Sequence, residues 1–226
     1  MSLSLSIVTP LQFGEILKIE FLKKNSSISR IQGYSAFMFE RFIDLSIIVM
    51  LSAVSLILLF ESGGLFSYLI IFFMIIIVFF IGFYFIYKRQ FKGKVGEILS
   101  YLKTCGSNIG NLIIVILLTL FSWFVVAAGW QIALSSISVY LSFEDSISLM
   151  SIITLASIIS FIPGGLGVSE VGVTEFLLHL GESSSLAQTG GLILRAYGFL
   201  ILFLGLVHFF AWTILHYGLN FERKKK

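Results

Sequence analysis

Apolar residues in this chain gather into long uninterrupted blocks, and the polar ones are confined between them. Leu65 to Tyr87 runs for 23 residues without a charge, and Ile109 to Tyr140 is a longer uncharged run. Ile147 to Ile162 is shorter, while Leu45 to Phe60 and Ala196 to Leu219 are apolar tracts whose N-terminal extensions carry Arg41 and Arg195. About 20 apolar residues of helix cross a hydrocarbon core of about 30 Å, whereas a membrane barrel would show alternating segments of about 10 residues. The pattern therefore predicts an all-α integral membrane protein with about five to seven transmembrane or re-entrant helices. Helix A covers about 31–60, B 65–87, C 109–134 and D 147–162; a short segment at 168–180 precedes a last helix at about 186–219.

Composition narrows the class. Hydrophobic residues make up 58% of the chain and charged ones 12%, half the share of about 25% found in soluble domains. Too little polar surface remains to cover a water-exposed globule, so the expectation is a single transmembrane domain over residues 1–226 with no soluble domain. Cys105 stands alone, which excludes an intrachain disulfide and a cysteine-rich metal site. His179, His208 and His216 are scattered; no metal, no other cofactor and no catalytic residue is expected.

The basic residues orient the chain. Thirteen of the fifteen fall in three groups: Lys18, Lys23, Lys24 and Arg30; Lys88, Arg89, Lys92, Lys94 and Lys103; and Arg223 to Lys226. Cytoplasmic loops retain Lys and Arg, so these groups are expected inside. The connections 61–64, 135–146 and 181–185 carry only acids and face outward. This predicts a multi-pass protein of the cytoplasmic membrane with a cytoplasmic C-terminus. Topology accounts for the basic surplus, and no nucleic-acid partner is expected.

Arg41 and Arg195 are the two basic residues left inside apolar helices. An intramembrane charge costs about 2.5–3.5 kcal/mol even on a lenient insertion scale, so each needs a partner or a polar cavity. Arg41 lies in Phe39-Glu40-Arg41-Phe42-Ile43-Asp44, where helical spacing puts Glu40 and Asp44 near it. The plain alternative is a self-neutralising pair that only locks packing. Arg195 has no acid within four residues, so its partner must come from elsewhere in the fold or from a ligand.

Two Pro/Gly clusters interrupt the apolar pattern: Thr9-Pro10-Leu11-Gln12-Phe13-Gly14-Glu15 and Ile162-Pro163-Gly164-Gly165-Leu166-Gly167-Val168-Ser169-Glu170. Proline removes a backbone donor and glycine weakens helix. Unwound backbone at membrane depth is tolerated only where protein or a water-filled cavity satisfies it. After the second cluster, 168–180 is too short for a full span and reads as a half-helix or re-entrant segment, whose N-terminal amides suit an anion. An ordinary surface loop between two short helices is the alternative.

The two features recur in order. Pro10 precedes Arg41 by 31 residues and Pro163 precedes Arg195 by 32. In the topology above Arg41 rides an outgoing helix and Arg195 an incoming one, which predicts an inverted repeat: copy 1 over about 8–60, copy 2 over about 161–217, linked by 65–160. Broken helices at corresponding positions of inverted repeats are a transporter plan, with the site near the midplane. Glu15, Glu170 and Glu175 would then line the breaks.

At these residues the chain resembles the transmembrane domain of lysylphosphatidylglycerol synthases and their flippase-like relatives. The shared elements are Pro-x-x-x-Gly-Glu, Phe-Glu-Arg-Phe-Ile-Asp, a basic loop, and Ile-Pro-Gly-Gly-Leu-Gly-Val-Ser-Glu with a late intramembrane Arg. The resemblance implies a membrane domain that translocates or handles lipids with polar, often charged, headgroups: an anionic or aminoacylated phospholipid, or a lipid-linked sugar. It carries headgroup binding to Arg41, Arg195, Glu40, Asp44, Glu15, Glu170, Gly164, Gly165 and Gly167, and the structural breaks to Pro10, Gly14 and Pro163. Relatives usually carry further helices before the first motif, and there is no room here for a soluble aminoacyl-transferase domain, so lysyl transfer by this chain alone is not expected. A membrane glycosyltransferase using a lipid-linked donor and a non-catalytic membrane subunit are the competing readings. A membrane-protein partner or a homo-oligomer stays open.

Overall fold

A computed structural model describes residues 29–59 and 93–223. Helix B at 65–87, the first Pro/Gly cluster with Pro10, Gly14 and Glu15, and the lysines at 224–226 lie outside the described residues. Those described form six α-helices and one 3₁₀ turn, and no strand occurs among them. The helices are α1 (Arg30–Leu59), α2 (Lys94–Ser107), α3 (Ile109–Ser135), α4 (Phe143–Ser160), α5 (Val168–His179) and α6 (Ser184–Arg223), with the 3₁₀ turn Pro163–Gly165 between α4 and α5. Four segments are long and apolar enough to cross a bilayer: Arg30–Leu59, Ile109–Ser135, Phe143–Ser160 and Ser184–His208. The protein is an all-α, multi-pass membrane protein.

The starts of these helices follow local polar chemistry. At α1, Ser29 and Gln32 cap reciprocally: the Gln32 amide donates to Ser29 Oγ at 3.2 Å and the Ser29 amide to Gln32 Oε1 at 2.8 Å, the Ser-x-x-Gln form of a capping box. Asn108 alone separates α2 from α3, and its Oδ1 accepts from the Asn111 amide at 3.1 Å. Helix α4 begins four residues before the apolar run at Ile147. Ser142 Oγ accepts from the Asp145 amide at 3.0 Å and donates to the Asp145 carboxylate at 2.6 Å. The acids expected in a connecting loop, Glu144 and Asp145, thus form the first turn of α4, where the helix dipole favours negative charge.

The described residues divide into two compact units. One contains 29–59, 93–132 and Tyr140–Leu155; the other contains Ala133–Val139 and 156–223. In the first, Ile48, Ala127, Met150 and Leu155 form a buried core, with Trp123, Val126, Trp130 and Ile147 packed against it. Serines join α1 to α4 there. Buried Ser52 donates to the Ser151 carbonyl at 2.8 Å, and the Ser55 and Ser151 hydroxyls lie 3.3 Å apart. Small hydroxyl residues suit such a seam because they let backbones approach closely and hydrogen-bond across it, where lipid offers no hydrophobic drive for association. Helix α2, a surprise within the basic loop, carries Ile98, Leu99 and Leu102 at helical spacing. It docks on α1, with Leu102 buried and Ser35 Oγ 3.3 Å from the Ile98 carbonyl.

In the second unit α5 and α6 form a hairpin. Gly181, at φ 90°, ends α5; its amide donates to Leu178 O and the next amide, of Glu182, to Leu177 O, both at 3.0 Å. This is the glycine-centred C-terminal cap that closes many helices. At 12 residues, α5 is about 18 Å long, too short to cross a core of about 30 Å. The short segment expected from the sequence is therefore a helix of sub-membrane length.

Candidate functional site

Arg41 lies eleven residues into α1, and two acids of its own helix face it. Nη1 is 2.9 Å from Asp44 Oδ2, and Nη2 is 3.1 Å from Glu40 Oε1. The pairing expected from spacing is formed. A further residue joins the cluster: Trp123 on α3 donates its indole N–H to Asp44 Oδ1 at 2.8 Å. Asp44 thus serves a cation with one oxygen and an indole with the other. The Phe37 ring, one turn before Arg41, lies 5.7 Å from the guanidinium carbon, within cation–π range. The Arg41 and Asp44 side chains are about a fifth exposed, Glu40 about half.

Arg195 also lies eleven residues into its helix, α6, but its partners come from the turn before α5. Nη1 donates to the Gly164 carbonyl at 2.6 Å, and Nε sits 3.3 Å from Glu170 Oε1. These partners are 31 and 25 positions earlier in the chain. The Phe199 ring, one turn later, lies 5.4 Å from the guanidinium carbon.

The Pro-Gly-Gly-Leu-Gly sequence makes this arrangement because three of its residues have left-handed backbone: Gly164 at φ 62°, Gly165 at φ 61° and Gly167 at φ 80°. Only glycine adopts such angles without strain. Gly165 must also lack a side chain for space, since a Cβ there would fall 2.6 Å from Ser157 Oγ. The turn presents the Gly164 carbonyl toward α6 and sets Gly167 as the residue before α5. There Glu170 Oε2 accepts from the Gly167 amide at 2.8 Å. This is the glutamate half of a capping box; glycine has no side chain to supply the other half. The Ser169 hydroxyl lies 2.9 Å from the same carboxylate oxygen and 3.0 Å from the Gly165 carbonyl. The anion at this helix start is the protein's own glutamate.

The close approach of α5 to α6 depends on a glycine pair. A Cβ on Gly191 would fall 2.8 Å from the Glu170 backbone carbonyl, and one on Gly190 would fall 2.5 Å from the end of the Leu177 side chain. Gly191 lies one turn before Arg195, so its bare backbone lets Glu170 come within reach of the guanidinium.

Of the residues singled out from sequence, the structure joins Arg41 with Glu40 and Asp44, and Arg195 with Gly164, Glu170 and the turn built by Pro163, Gly165 and Gly167. Glu175 is exposed on α5 and not paired with Arg195. Trp123, Ser169 and the pair Gly190-Gly191 were not among the sequence candidates. A tryptophan at mid-run in an apolar helix and a double glycine inside a helix are the signals that mark them, since a buried indole N–H needs an acceptor and helical glycine needs a packing reason. No group of three or more His, Cys, Asp or Glu placed to hold a metal occurs among the described residues.

No curated protein and no solved structure shows a significant match to the chain. The family model described as Lysylphosphatidylglycerol synthase TM region matches residues 1–205 of the 226. With that match over nearly its whole length, and with both arginine motifs built as described, the chain belongs to the lysylphosphatidylglycerol synthase transmembrane-region family.

Proposed function

We propose that this protein binds lipids with polar or charged headgroups and carries them between leaflets as a flippase. The observation that carries the reading is Arg195 in mid-helix, tied to the Gly164 carbonyl and to Glu170 at the start of a helix too short to span. Such a cation is expensive at membrane depth, and Arg195 has no acid within four residues on its own helix. Instead an interrupted backbone is brought to it. Both arginines are about a fifth exposed, so each cluster keeps an edge that a headgroup can reach. The substrate class is a phospholipid, anionic or aminoacylated, or a lipid-linked sugar.

The repeat belongs to this reading. Arg41 and Arg195 each lie eleven positions into a long apolar helix, each beside a carboxylate and a phenylalanine. We read the chain as one transmembrane domain built from two inverted copies, in the cytoplasmic membrane with its C-terminus inside. The basic groups in the sequence support that orientation. The test is reconstitution in vesicles carrying a labelled phospholipid in one leaflet. Acceleration of leaflet exchange over protein-free vesicles is the expected result, and no acceleration from a folded preparation rejects the proposal.

A further inference from the structure

We infer that the outer edge of the Arg195 guanidinium is a phosphate site, and that Glu170 is the built-in competitor a phosphate must displace. The inference rests on the lipid-handling reading and names the atoms that would perform it. The two arginines differ in what their terminal nitrogens do. Both Nη1 and Nη2 of Arg41 face carboxylates. Arg195 commits Nε to Glu170 and one hydrogen of Nη1 to the Gly164 carbonyl, while Nη2 has no partner among the described residues. A guanidinium has five N–H donors in a planar fork. Three N–H therefore remain at Arg195, two on Nη2 and one on Nη1, at the outer edge of a side chain about a fifth exposed. That edge matches two oxygens of a phosphate, and such forked contacts are among the stronger polar interactions in proteins.

Glu170 is arranged so that it can yield. Its two oxygens have separate tasks: Oε1 meets Arg195, while Oε2 accepts from the Gly167 amide and lies beside the Ser169 hydroxyl. Loss of the arginine contact leaves the start of α5 capped. The contact with Arg195 is also the longer of the two, 3.3 Å against 2.8 Å. A phosphate that draws the guanidinium toward its free edge would exchange one anion for another at constant local charge, and α5 would lose its ionic tie to α6. Helix α5 makes few other polar contacts with α6; Thr174 Oγ1 to the Ala187 carbonyl, at 3.5 Å, is one.

The decisive variant is Glu170→Gln. Its side-chain oxygen still accepts from the Gly167 amide, but the amide nitrogen turned to Arg195 is a donor and cannot pair with it. Removal of the competitor predicts about tenfold tighter binding of short-chain phosphatidylglycerol, the size of one charge-assisted hydrogen bond. Binding is measured on the full chain in detergent by isothermal titration, with diacylglycerol as the uncharged control and inorganic phosphate as a second probe. Arg195→Lys, which keeps the charge but loses the fork, should weaken both phosphate-bearing probes. Tightening in Glu170→Gln for both probes supports the site. Tightening for inorganic phosphate alone overturns the lipid headgroup as its ligand. Unchanged or weaker binding in Glu170→Gln, or undiminished binding in Arg195→Lys, overturns the site.

Hydrogen exchange on the unmodified protein supplies a check independent of mutants. Added phosphatidylglycerol should speed exchange of the α5 amides from Gly172 to His179 as the helix loses its tie to α6, and slower or unchanged exchange contradicts displacement of Glu170. Binding with the predicted signs but no leaflet exchange in vesicles would reject the transport reading and leave this site standing. Leaflet exchange without the Glu170→Gln effect would do the reverse.

Discussion

Arg41 and Arg195 stand at the same depth in their helices, yet the acids described beside them come from different places in the chain. Arg41 faces acids at the preceding position and three residues later on its own helix, and α3 adds the indole of Trp123 to Asp44. Arg195 reaches across to a glycine carbonyl and a glutamate that the chain passed 31 and 25 residues earlier. The ion pairs described in the first cluster are set by neighbours on one helix. The second exists only while the glycine turn, the cap of α5 and the α5–α6 contact all hold. A charge that depends on that many elements is coupled to their movement, which makes the second cluster a candidate for a working part.

The sharpest way to break this comparison is to remove each cation. Arg195→Ala should destabilise the protein by about 1–3 kcal/mol, because Glu170 and the Gly164 carbonyl lose their charged donor. Arg41→Ala should have a smaller effect, since Asp44 keeps its bond from Trp123. Reversible unfolding in mixed micelles, followed by helical circular dichroism, ranks the two. Equal losses would erase the distinction between a local and a long-range cluster.

The next variant tests the indole. Trp123→Phe keeps the ring in the core beside Ile48 and Met150 but deletes the donor to Asp44, a hydrogen bond to a charged group worth about 1.5–3 kcal/mol. The same unfolding experiment should show that loss, and it should nearly vanish when Asp44→Ala, which leaves the indole no acceptor, is already present. Additive effects would mean that Trp123 acts only through packing.

The α5–α6 contact comes third. Gly191→Ala places a methyl against the Glu170 carbonyl, a backbone atom that cannot rotate away, and overpacking of this kind costs about 1–3 kcal/mol. Gly190→Ala meets the movable end of Leu177 and should cost less. The order of their melting temperatures checks this. Ser52→Ala should have the smallest effect, about 0.6 kcal/mol, the average for a side-chain hydrogen bond between membrane helices.

The same contrast explains what could be read from the sequence. Membrane class, four described spans and the short segment before α6 follow from run lengths, because lipid leaves a helix few alternatives. The Arg41 cluster is legible since i to i+3 spacing on a helix fixes neighbours. The partners of Arg195 are not, because they depend on three left-handed glycine angles and on how closely α5 and α6 approach. The presence of a Pro/Gly break and of an orphan arginine could be noted separately, but their contact is a tertiary fact. Helix α2 was hidden for a different reason. Its lysines read as a connecting loop, and the stripe of Ile98, Leu99 and Leu102 is too short to compete with that signal. The early start of α4 was hidden by Ser142 and Asp145, whose polarity ends an apolar run while their hydrogen bonds begin a helix.

The most direct test of the account is the rate at which labelled phospholipid crosses vesicle membranes containing the unmodified protein, Arg41→Lys or Arg195→Lys at equal folded content. The account predicts clear acceleration by the unmodified protein, most of it kept by Arg41→Lys and lost by Arg195→Lys. Full activity in Arg195→Lys, or rates no different from protein-free vesicles in all three, would contradict it.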